Sequence, residues 1–93
     1  MVLCNREIEC FIPGYDFYLD ATVDLEQRPD RWVAFIREIG TTVYGHSQEE
    51  ALSRVDLAMQ LVVESFKDDL EELKKYLSEH KIITDFWINP STA

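Results

Sequence analysis

Few side chains in this chain are of types that do chemistry, and their spacing decides what they could form. His46 and His80 lie far apart in the sequence, too few and too distant for a local metal site. His46 adjoins a helix start. His80 closes a helical stretch, where a positive charge suits the C-terminal end of the helix dipole. Asp20, Asp24 and Glu50 could be drawn as a carboxylate cluster for a hard cation. However, Asp20 and Asp24 share the wet face of an alternating strand, so solvation accounts for them. Cys4 and Cys10 are six positions apart, which matches neither a CxxC redox motif nor a zinc knuckle. An even separation puts them on one face of a strand, and two buried thiols are the expected outcome. Ser47 has no base beside it and reads as a helix cap. The three glycines form no phosphate-cradling loop. Bases could stack on Trp32, Phe35 or Tyr44, but the hydrophobic alternation around them points to core packing. No catalytic residue, metal ligand or cofactor site is expected.

Charge narrows the class of partner. Eighteen acidic residues against nine basic ones give a net charge of −9. Nucleic-acid affinity rests on neutralising phosphates, and the basic residues here are scattered. Lys74-Lys75 stands among Glu71, Glu72 and Glu79. Nucleic acid is therefore not expected to bind this chain alone, and a basic protein suits its charge better. Hydrophobic residues make up 46% of the chain, enough for a core and against disorder. No apolar run approaches the ~20 residues that span a bilayer. No basic stretch followed by an apolar one marks a secretory leader. These features lead us to expect a cytoplasmic protein away from membranes.

The elements that would position these residues are legible from periodicity. Residues 6–12 alternate and predict a strand, and Pro13-Gly14 a turn. From residue 15 to 25 the alternation is clean. Tyr15, Phe17, Leu19, Ala21, Val23 and Leu25 fall on one side; Asp16, Tyr18, Asp20, Thr22 and Asp24 fall on the other. That pattern belongs to an antiparallel sheet covered on one face. Arg28-Pro29-Asp30 makes the turn into a second strand over 31–37. Gly40 turns the chain again into a short β-branched strand over 41–45. Ser47 then opens a helix through a capping box. Its hydroxyl accepts from the Glu50 amide, and the Glu50 carboxylate reaches back to the Ser47 amide.

The helical stripe runs through Leu52, Val55, Met59, Val62, Phe66, Leu70, Leu73 and Leu77, all within a sector of about 80°. No Gly or Pro interrupts it. One continuous helix over 48–80, ~50 Å long, is the favoured reading. A break near 65–68, with Ser65 capping a second helix, is the alternative. Residues 82–88 are nearly all apolar and predict a last strand that needs an edge to pair with.

Residues 17–66 resemble the HicB-like antitoxin family. The likeness rests on the strand Trp32-Val33-Ala34-Phe35, on Gly45-His46-Ser47 and on Glu49-Glu50-Ala51 opening an amphipathic helix. Ile39-Gly40-Thr41 stands where that family has Leu-Pro-Gly-Cys. The resemblance implies a partly built ribonuclease-H-like sheet on one helix, assembled as dimers or tetramers. It also implies binding to a small basic ribonuclease toxin. The C-terminal DNA-binding module that many members carry has no counterpart in this sequence.

These readings converge on an α+β fold, an antiparallel sheet of three to four strands packed on one long amphipathic helix. A single domain is expected over 1–93, with its core at 15–66, a helical extension at 67–80 and a C-terminal strand at 82–88. The expected function is non-catalytic protein–protein binding, as an antitoxin neutralising a basic toxin. The alternative is a stand-alone oligomeric structural or regulatory module with no toxin; an enzyme using the wet-face carboxylates is a distant third. The long stripe and the apolar C-terminal strand exceed what a small sheet covers. A homodimer or higher oligomer is therefore expected, with Leu70, Leu73, Leu77, Phe86, Trp87 and Ile88 at its interface.

Overall fold

A computed structural model describes residues 2–13 and 15–82 with their side chains, and the backbone of 84–88. The element order is β1 (Val2–Ile12), β2 (Tyr15–Gln27), β3 (Trp32–Ile36), β4 (Thr41–Gly45), α1 (Gln48–Glu64), α2 (Leu70–Glu79) and β5 (Thr84–Ile88). The fold is α+β, as expected. The strands form one antiparallel sheet in the order β1-β2-β3-β4, and β5 joins it on β2. The path β1-β2-β3-β4 gives the four strands expected, β5 adds a fifth alongside β3 on β2, and β1 is longer than its alternation suggested.

β2 organises the sheet. One edge pairs with β1 along its whole length, from Val2 opposite Leu25 to Ile12 opposite Tyr15. The other edge is divided. Tyr15 to Leu19 pair with β5, and Val23 to Gln27 pair with β3. Between them the backbone of Thr22 takes other partners. Its carbonyl accepts from the Arg37 amide at 3.0 Å, and its amide donates to Glu38 Oε1 at 2.7 Å. A half-buried carboxylate thereby satisfies a donor that neither strand reaches.

The period-2 pattern of β2 holds in space. Phe17, Leu19, Ala21, Val23 and Leu25 are buried with Ile8, Cys10, Ile12, Ala34 and Ile36. Helix α1 covers this face with Ala51, Val55, Met59 and Val63. The buried spacing is four residues throughout, so Ala51 and Val63 lie deeper than the Leu52 and Val62 of the expected stripe, which are half-buried. The helix lies close to β4. A Cβ on Gly45 would run into the backbone of Glu50 and Ala51, so only glycine fits there. Gly40, at φ +65, makes the β3–β4 turn and donates its amide to the Ile36 carbonyl at 2.9 Å.

The single long helix is corrected. The chain turns over residues 65–69, between α1 and α2. The Ser65 hydroxyl donates to the Val62 carbonyl at 2.6 Å, and the amides of Phe66 and Lys67 bond three residues back. This tightening ends α1. Asp69 then caps α2 by accepting from the Glu72 amide at 3.1 Å. The break is where the alternative placed it, but Asp69 rather than Ser65 is the N-cap. Breaking the helix lets Leu73 and Leu77 turn into the core of their own chain, at 0% and 1% exposure. Among the described residues, no helix is long and apolar enough to cross a membrane.

Candidate functional site

The residues considered for chemistry are not brought together. The Asp24 carboxylate is held by Arg37 in a two-pronged pair at 2.8 and 2.9 Å. That bonding, and the guanidinium charge, lower its pKa below the ordinary carboxylate value. Asp20 stands opposite Glu7 of β1. Glu50 lies at the start of α1, accepting from the His46 amide at 3.0 Å and facing Arg54 at 3.5 Å. The capping box therefore forms with one change. Ser47 Oγ accepts from the Glu50 amide at 3.1 Å, but the carboxylate reaches the amide of His46 rather than that of Ser47. Among the described residues no group of His, Cys, Asp and Glu is arranged to hold a metal ion.

His80 does end α2, and it has a more specific role than a dipole partner. Its Nδ1 lies 3.0 Å from the Glu38 carbonyl, so that nitrogen carries the proton and donates. Its ring stacks on Tyr76 at 4.1 Å. This ties the end of α2 to the β3–β4 turn. Cys4 and Cys10 are both free. They stand opposite buried Val23 and Phe17, on one face as expected. Burial pushes the Cys10 thiol up to about 12, so it is inert at neutral pH.

Two shallow cavities accompany these groups. One of about 230 Å³ sits in the notch where β3 and β5 part along β2, lined by Asn5, Asp20, Thr22, Glu38 and Lys81. The other, about 200 Å³, lies at the start of α1 among Arg31, Tyr44, His46, Glu50 and Arg54. Arg31 lies over the Tyr44 ring at 4.4 Å. Each cavity mixes charges of both signs, and neither presents a nucleophile with a base.

The larger feature is the outer face of the sheet, opposite α1. Glu7, Glu9, Asp16, Asp20, Asp24 and Glu26 occupy its register positions on β1 and β2. Among the described residues, ion pairs reach Asp24 and Glu26 but not Glu7, Asp16 or Asp20. Phe11, Tyr18, Phe35 and Tyr44 expose their rings on the same face at 36–59%. Glu9, opposite Tyr18, raises the phenol above its ordinary pKa through its charge and then its hydrogen bond. Glu7 facing Asp20 places like charges in direct opposition, which costs stability. No family model matches this chain, and no curated protein or solved structure is significantly similar to it.

The expected interface residues divide. Leu70 is half-buried, whereas Leu73 and Leu77 are covered within one chain. Phe86, Trp87 and Ile88 pair through their backbone with Phe17, Asp16 and Tyr15; their side chains lie outside the described part. The exposed apolar residues that periodicity did not single out are Leu57 and Leu61 on α1 and Val2 and Leu3 on β1, each 56–60% exposed. Leu57 and Leu61 stand one turn apart. That signal was present in the sequence, off the main stripe.

Proposed function

We propose that this chain is a non-catalytic, HicB-like binding protein that holds a small basic protein against the outer face of its sheet. The observation that carries the reading is that face itself. It is acidic, carries exposed aromatic rings and has no covering element among the described residues. Basic side chains with flat cationic groups match both features, by ion pairing and by stacking on rings. An antitoxin masking a basic ribonuclease is the form of this activity that the sequence resemblance implies. A sheet with one helix-covered face and a helix opening at Glu49-Glu50-Ala51 supports it.

Purification of the native complex tests the proposal. A basic protein should co-purify, and it should be released as salt rises, because exposed charge pairs are screened. Asp16→Lys with Asp20→Lys should abolish the association while leaving the fold intact. Salt-steep binding of duplex DNA by the isolated chain would overturn the reading. The second reading, an oligomeric module with no toxin, is favoured by the open edge of β1 and by exposed Leu57 and Leu61.

A further inference from the structure

We infer that the free edge of β1 pairs with β1 of a second copy, joining two sheets into one across a two-fold axis at Asn5. The inference does not depend on the toxin reading. β1 is the outermost strand, and among the described residues its 11 residues leave one long edge without a strand partner. Exposed edges of this length invite pairing, and soluble proteins rarely leave them bare.

Among the described residues this edge is covered at one end only. The Gln60 side chain accepts from the Phe11 amide at 3.1 Å and donates to the Phe11 carbonyl at 2.9 Å, as a neighbouring strand would. Phe11 therefore turns its backbone groups away from β2. In a regular strand the alternate residues Leu3, Asn5, Glu7 and Glu9 do the same. Their donors and acceptors line the part of the edge that Gln60 does not reach.

The sequence of β1 is compatible with its own reversal. Antiparallel pairing about Asn5 sets Val2 against Ile8 of the second copy, Leu3 against Glu7, Cys4 against Arg6, and Asn5 against itself. No acid meets an acid. The Asn5 amides supply both a donor and an acceptor across the axis. A register centred on Arg6 opposes two guanidiniums. One centred on Glu7 opposes two carboxylates and displaces Gln60 from Phe11. Of the registers centred on Asn5, Arg6 and Glu7, the charges select the first, an isologous pairing.

Helix α1 flanks the paired edge. Asp56 and Gln60 both reach β1, the former through a two-pronged pair with Arg6 at 2.6 and 2.7 Å. Leu57 is three residues before Gln60, on the adjoining side of the helix. It is 57% exposed. The two-fold that pairs the strands brings α1 of the second copy onto the same side of the joined sheet.

Sedimentation and light scattering across a wide concentration range test this. The wild type should run as a dimer at micromolar concentration. Asn5→Pro removes the outward amide and should give a folded monomer. Glu7→Pro, which removes a second outward amide at the edge, should weaken dimerisation at least tenfold. Leu70→Glu, on α2, should leave the dimer intact. In hydrogen exchange, the amides of Leu3, Asn5 and Glu7 should gain protection as concentration rises, a readout that holds even if Asn5→Pro misfolds. A wild type that stays monomeric would overturn the inference. So would a dimer in which those three amides stay unprotected.

Discussion

Leu73→Ala separates a core leucine from an interface leucine. Leu73 is 0% exposed within one chain. The substitution removes three carbons, worth about 2.4 kcal/mol at ~0.8 kcal/mol per buried methylene. The space they leave adds a cavity cost, bringing the total to roughly 3–4 kcal/mol. For a domain of this size, that lowers Tm by roughly 15–25 °C. Leu61→Ala is the control. Leu61 is 56% exposed, and its loss should shift Tm by no more than a few degrees. The assay is thermal unfolding by circular dichroism at several protein concentrations. If the Leu73 contacts lie within one chain, the drop in Tm is the same at every concentration. If they lay between chains, the drop would vary with concentration by mass action. A Leu73→Ala variant within a few degrees of wild type would refute the packing argument, as would a Tm difference that changes steeply with concentration.

Val55→Asp and Met59→Asp, both at 0% exposure, should each cost several kcal/mol by driving an unpaired charge into the core, measured by denaturant titration. Asp69→Ala removes the α2 cap and should cost about 1 kcal/mol in the same assay. Cys10 should resist a thiol reagent in the native state while half-buried Cys4 reacts, as read by mass spectrometry. Because folding raises the Cys10 pKa from 9.0 to about 12, the unfolded chain loses its proton first. Stability contributed by this site is therefore unaffected below pH 9 and declines as pH rises toward 12. For Asp24 the sign is opposite. Its lowered pKa supports the fold above the ordinary carboxylate value and is lost as pH falls through the lowered one. Arg37→Gln should move its titration upward by NMR.

Strand alternation at 15–25 was readable because one face of β2 is wet and the other buried, which period 2 records directly. Turns at Pro13, Pro29 and Gly40 were readable because local backbone chemistry fixes them. The helix break was not decided by the apolar stripe, because the stripe keeps its phase across residues 65–69. The decision lies in polar groups, the Ser65 hydroxyl and the Asp69 carboxylate, whose hydrogen bonds outweigh continuation. The divided edge of β2 was not legible at all. Nothing in the type or spacing of Glu38 announces that its carboxylate serves the Thr22 amide, because that contact exists only once β3 has docked. The acids of the outer face were visible as alternation, whereas their meeting with Phe35 and Tyr44 required the strand order.

Because β2 shares one edge between β3 and β5, its two halves have different histories during folding. The half from Val23 to Gln27 finds β3 across a tight turn, a local closure. The half from Tyr15 to Leu19 waits for Thr84 to Ile88, strand residues separated from it by both helices. Loop-closure entropy makes that pairing late, and non-local strand pairing is slow. During synthesis the early hairpins and α1 can assemble while half of one β2 edge still lacks its partner. That transient edge is where a nascent chain would be open to mispairing. Amides of Asp16 and Tyr18, which face β5, should accordingly gain exchange protection in a later kinetic phase than those of Asp24 and Glu26, which face β3 on the same strand.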